Sequence, residues 1–258
     1  MRASTYSFNS FKNERGIILA ALVILSALAW WYTIYLAKTM NCCTFAIKDA
    51  GGFWSGQQFL MMFLMWVVMM VAMMVPSIVP MVLVFAMVNG QRRKQARAYV
   101  STVFFLLGYL IVWTAFSLLM TFLQEWLQAS AFISEHMVLN NPTLNGSILI
   151  LAGIFQCSSF KNKCLTHCRS PFDFIMTDWR EGRGGAVMMG LRHGMFCLGC
   201  CWLLMLLLFV GGVMNIMWIV FLTVFVLGEK VFPYGRLISR IAGVVFFTWG
   251  SMILVSGH

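Results

Sequence analysis

Long uninterrupted apolar stretches dominate this chain, and several have the roughly 20 residues a helix needs to cross a bilayer. Of the 258 residues 61% are hydrophobic and only 10% charged, so a water-soluble core does not explain so many apolar runs. Inside lipid every backbone donor and acceptor must be satisfied within the segment, which makes such runs helical. The expected fold is therefore all-α, a polytopic transmembrane helical bundle forming a single domain over residues 1–258. About seven spans are expected, near Ile17–Ala37, Phe59–Met87, Tyr99–Leu123, Leu144–Phe160, Gly185–Val210, Val213–Leu227 and Leu237–Ser256. The fourth lies at the lower length limit and the sixth is shorter still, so each is a candidate for a re-entrant or broken helix.

Charge placement supplies an independent check. With the N-terminus cytoplasmic, the inner segments hold Arg2, Lys12 and Arg15, then Arg92, Arg93, Lys94 and Arg97. They also hold Lys161, Lys163, Arg169, Arg180 and Arg183, then Lys230, Arg236 and Arg240, which makes 15 of the 18 basic residues. Lys38 and Lys48 fall outside, and Arg192 lies within a span. That asymmetry is a positive-inside pattern, and it points to a multi-pass integral membrane protein. The net charge of +10 is thus a topology signature, with the lipid bilayer as partner and no nucleic acid. Ala27-Leu28-Ala29 resembles a signal-peptidase site, but the apolar stretch runs on through Leu36, so an uncleaved anchor is expected.

Sulfur is the second theme. His193, Cys197, Cys200 and Cys201, followed by Met205, are spaced by 4, 3, 1 and 4 residues and fall along one side of a helix. Thiol, thioether and imidazole donors suit Cu(I) or Zn(II) far better than Mg(II) or Ca(II). On the inner side, Cys157, Cys164, His167 and Cys168 bring up to four more soft donors, and Lys161, Lys163 and Arg169 are placed to favour thiolate there. The second span carries Met62, Met65, Met69 and Met73 at near-helical spacing, ahead of Pro76 and Pro80. Thioethers hold Cu(I) weakly enough to pass it on. Met and free Cys also fill apolar cores as ordinary packing residues, so each group has a plain structural alternative. Cys42 and Cys43 fall on the outer side, apart from the inner cysteines, so no disulfide framework joins the two sets.

Three segments carry a resemblance. They are Trp66-x2-Met69-x2-Ala72-Met73-Met74-x-Pro76, Lys163-Cys164-Leu165-x2-Cys168-Arg169-Ser170-Pro171, and Gly190-Leu191-x-His193-Gly194-x2-Cys197-Leu198-Gly199-Cys200-Cys201-Trp202. Together with Gly212-Val213-Met214-Asn215 and Glu229-Lys230, they resemble a bacterial family of uncharacterised integral membrane proteins described as predicted metal-binding. The resemblance runs from about Phe59 to Arg236 and implies metal binding in the bacterial inner (plasma) membrane, with no established substrate or reaction.

The expected function is handling or relay of a transition metal ion, copper first and zinc second. The ligands expected are His193, Cys197, Cys200, Cys201, Cys164, His167, Cys168, Cys157, Met69 and Met73. A metallochaperone or a membrane complex is the partner class such a relay calls for. No nucleotide-binding loop or catalytic motif marks an enzyme. Two alternatives stay open: a membrane thiol-disulfide oxidoreductase using Cys197-x2-Cys200, and a structural or assembly subunit whose sulfur residues merely pack. Glu229 and Lys230 are expected to form an interfacial ion pair, and Arg192 to face a carboxylate, a carbonyl or the headgroups.

Overall fold

The computed structural model describes residues 2–40, 54–94, 101–134 and 137–256, with side chains for 15–39, 54–92, 101–134 and 137–256. Cys42, Cys43, His136 and His258 lie outside the described residues, as do the charges at Lys48 and Arg97. Nine helices occur among the described residues: α1 (Arg2–Met40), α2 (Gly56–Lys94), α3 (Thr102–Ala129), α4 (Pro142–Gln156), α5 (Ser159–Arg169), α6 (Pro171–Asp178), α7 (Gly182–Gly211), α8 (Ile216–Val231) and α9 (Gly235–Ser256). The fold is all-helical, as the apolar runs require.

Five segments are long and apolar enough to cross a membrane: Arg15–Thr39, Gly56–Arg92, Thr102–Ala129, Gly182–Gly211 and Gly235–Ser256. The two short runs behave differently. α4 has 15 residues and α8 has 16. At 1.5 Å per residue each extends about 22–24 Å, short of a hydrocarbon core of about 30 Å. The expected fourth span, Leu144–Phe160, is interrupted near its end. The Ser158 side chain accepts from the Lys161 amide and so caps a new helix, and α4 and α5 bend by 63° across the break. Counting that pair as one span brings the number to six.

Local chemistry explains the other boundaries. Ser101, Asn141 and Asn215 each accept backbone N–H bonds at a helix start, and Pro142 follows Asn141 in the first turn, where its missing N–H does no harm. α7 ends at Gly212, whose φ of 96° a side chain would resist.

α2, α3 and α7 form the centre, and α3 and α7 meet almost backbone to backbone. A Cβ at Gly190 would collide with the Phe105 carbonyl, and one at Gly108 with that of Val187. The Gly190-x3-Gly194 spacing lets the two helices touch. Met62, Met65, Met69, Met70, Met73 and Met74 are buried in the core that this contact closes, whereas Met61 is exposed. Within it Gln124 accepts from Trp66 Nε1 at 2.6 Å and turns its amide toward the sulfurs of Met62 and Met137. α5 packs on α7, and α8 on α2, α7 and α9.

Candidate metal centre

The close α3–α7 contact places the sulfur row of α7 against α3 and α5. His193, Cys197, Cys200 and Cys201 are all buried, as is Met205 one turn further on. Their thiols do not all point the same way. Cys200 Sγ and Cys201 Sγ each donate to the Cys197 carbonyl oxygen, at 3.0 and 2.9 Å. Cys197 Sγ points instead into a polar pocket, 3.1 Å from Tyr109 Oη on α3 and 2.9 Å from Lys230 Nζ on α8. Lys230 also donates to Ser77 Oγ at 3.1 Å, and Tyr109 Oη lies 3.3 Å from the Met74 carbonyl oxygen. Three helices therefore meet at one sulfur atom, and α2 closes the pocket behind Tyr109 and Lys230.

A fifth arrives through α5. Cys164 and Cys168 lie one turn apart, and the Cys164 sulfur sits in the notch at Gly199, where a Cβ would lie 3.1 Å from it. The Cys168 thiol lies within reach of the Cys197 and Cys200 sulfurs. Of the basic neighbours expected to favour thiolate on α5, one is drawn off. Lys161 is turned away, into a buried ion pair with Glu229 at 2.8 Å.

The remaining expected ligands divide. His193 belongs with the thiols: it lies one helical turn from Cys197, among the rings of Phe105, Tyr109 and Phe174. Its Nδ1 is buried with no hydrogen-bond partner. A buried polar atom left unpaired is costly, and a ligand is one way to satisfy it. His167 does not join the thiols, because its Nδ1 lies 2.9 Å from the Lys163 carbonyl oxygen and its ring stacks on Phe196 at 4.4 Å. Cys157 is exposed beyond the end of α4 and faces Gly243 of α9. Met69 and Met73 are buried in α2, in the core that also contains the α7 cysteines. Among the described residues no group of three or more His, Cys, Asp or Glu side chains stands as a ready metal cage. For Cys200 and Cys201 to ligate, their thiols must first leave the Cys197 carbonyl.

Two residues of this pocket, Tyr109 and Ser77, escaped the sequence reading, and Lys230 entered it as part of an interfacial ion pair. Glu229 and Lys230 do not form the expected ion pair, since Glu229 binds Lys161 while Lys230 binds Cys197 and Ser77. Helix geometry contained that signal, because consecutive residues point about 100° apart and do not face each other. Arg192 meets its expectation by pairing with Asp178 at the surface.

The model of the PpoB2 family, described as copper chaperone, matches residues 63–253, and the chain belongs to that family. The match spans α2 to α9 and so includes every described residue of the pocket. No curated protein and no solved structure matches the chain.

Proposed function

We propose that this member of the copper chaperone family is an integral protein of the bacterial inner membrane that binds Cu(I) on sulfur and passes it on. The five long apolar helices and the positive-inside charge pattern support the membrane reading, with the N-terminus on the cytoplasmic side. One observation carries the ligand reading: Cys197 Sγ is aimed into a buried polar pocket one helical turn from a His193 ring with an unsatisfied nitrogen, and α5 sets its Cys164 sulfur against the same helix. Cys197 and Cys200 supply the thiolate pair that a soft monovalent ion prefers, and His193 a neutral nitrogen donor. Cys168 and Cys164, on the short helix outside the long spans, deliver or receive the ion by ligand exchange. The buried methionines of α2 offer weaker thioether sites for the onward step. Zn(II) is the second choice of ion for the same donors.

The oxidoreductase alternative is less well supported, because Cys197 and Cys200 are buried where a protein disulfide cannot reach them.

The test is the metal content of the full chain purified in detergent and loaded with Cu(I) under reductant. The parent should retain copper near stoichiometrically, and the triple variant Cys197→Ser/Cys200→Ser/Cys201→Ser should lose it while remaining inserted. His193→Ala should weaken retention, and His136→Ala and His258→Ala should leave it unchanged. Full copper retention by a well-folded triple variant would make the cysteines packing residues and overturn the reading.

A further inference from the structure

Two lysines, Lys161 and Lys230, are buried among the described residues, against a single buried carboxylate, Glu229. That carboxylate is fully engaged. Both of its oxygens accept from Lys161 Nζ at 2.8 Å, and Oε1 also accepts from Ser239 Oγ at 2.6 Å and Gln156 Nε2 at 3.0 Å. Among the described residues Lys230 therefore has no carboxylate. Its ammonium is directed at Ser77 Oγ of α2 and at Cys197 Sγ of α7, the sulfur that Tyr109 of α3 also meets.

We propose that Lys230 is a specificity-determining residue of the thiol site, selecting a monovalent soft ion over a divalent one. The inference depends on the reading of Cys197 and Cys200 as ligands, and it adds the reason why that pair takes Cu(I) rather than Zn(II). Two thiolates carry a charge of −2. With Cu(I) the complex is −1, and the Lys230 ammonium beside it brings the buried group to zero. With Zn(II) the complex is already neutral, and the same ammonium leaves an uncompensated positive charge in a buried setting. Uncompensated charge away from water is strongly disfavoured, and the repulsion of a fixed cation doubles when the bound ion carries two charges. Ligand softness alone does not separate the two ions, since both accept thiolate and imidazole. The fixed ammonium does. Specificity here is built by penalising the wrong ion as well as by favouring the right one.

The experiment measures Cu(I) and Zn(II) dissociation constants for the full chain in detergent, each ion buffered by a chromophoric chelator, with reductant and without oxygen. Ag(I), monovalent and redox-inert, serves as a second monovalent probe. Lys230→Gln, which keeps an N–H donor and loses the charge, should lower the Cu(I)-over-Zn(II) preference by about tenfold or more. Ag(I) should follow Cu(I), and Lys230→Arg should keep the parental ratio. Ser77→Ala removes the other partner of the ammonium and should shift the ratio in the same direction by a smaller factor, which serves if Lys230→Gln fails to insert. An unchanged ratio in a well-folded Lys230→Gln overturns the inference while leaving the thiol site standing. If the parent binds neither ion, or if Cys197→Ser/Cys200→Ser binds copper as tightly as the parent, the thiol reading itself falls and this inference with it.

Discussion

The two buried lysines lie on neighbouring helices and meet opposite surroundings. Lys161 is enclosed in a closed network, with Glu229, Gln156 and Ser239 accounting for one another's donors and acceptors. Lys230 lies next in sequence to that same Glu229, yet its helix turns it to the other side, toward a hydroxyl and a thiol. The first arrangement is complete within the protein and locks the bent α4–α5 pair to α8 and α9. The second places a cation beside a polarisable sulfur whose charge depends on what is bound. A fully satisfied ionic network rigidifies; a cation facing a potential ligand can take part in chemistry.

The sharpest way to break this comparison is to remove Lys161. Lys161→Met leaves the Glu229 carboxylate buried without its cation and should cost about 3–5 kcal/mol of stability, read from unfolding in detergent. Adding Glu229→Leu should recover most of that loss, because replacing both members of a buried pair by apolar groups is often neutral. A single variant as stable as the parent would mean that the network is not the lock described here.

Lys230→Gln should cost less, about 1–2 kcal/mol by the same measurement, because its partners are neutral-capable groups rather than a committed carboxylate. A loss as large as that of Lys161→Met would erase the distinction between a structural and a functional lysine.

The smallest effect belongs to Arg192, which the sequence placed inside a span. Its side chain is half exposed and pairs with Asp178. Such pairs contribute little, so Arg192→Gln should change stability by about 0.5 kcal/mol and leave the Cu(I)-over-Zn(II) ratio untouched. A ratio change as large as that from Lys230→Gln would show that any nearby positive charge has the same effect, and would remove the special place of Lys230.

Much of this was readable from residue order alone. Apolar runs of 20 or more residues have one backbone solution away from water, so the long helices follow from length and hydropathy. The 4-3-1 spacing of His193, Cys197, Cys200 and Cys201 put them along one side of a helix, because that depends only on helical periodicity. Residue order set the inner Cys164–Cys168 donors apart as a zone of their own, with no sign of which α7 thiols they would face.

Tertiary structure decided the rest. The break at Ser158 depends on a side chain that competes to cap a new helix, which hydropathy does not register. Cys157 and His167 share the composition of Cys164 and Cys168, and only the packing of α5 on α7 separates those that meet the thiols from those that do not. Glu229 and Lys230, adjacent in the chain, invite pairing with each other. Their separation by helical rotation sends one to Lys161 and the other to Cys197. Sequence fixes which groups exist and their period along an element. Which of them confront one another across 153 residues, as Ser77 and Lys230 do, is settled only when helices dock and buried charges must find partners.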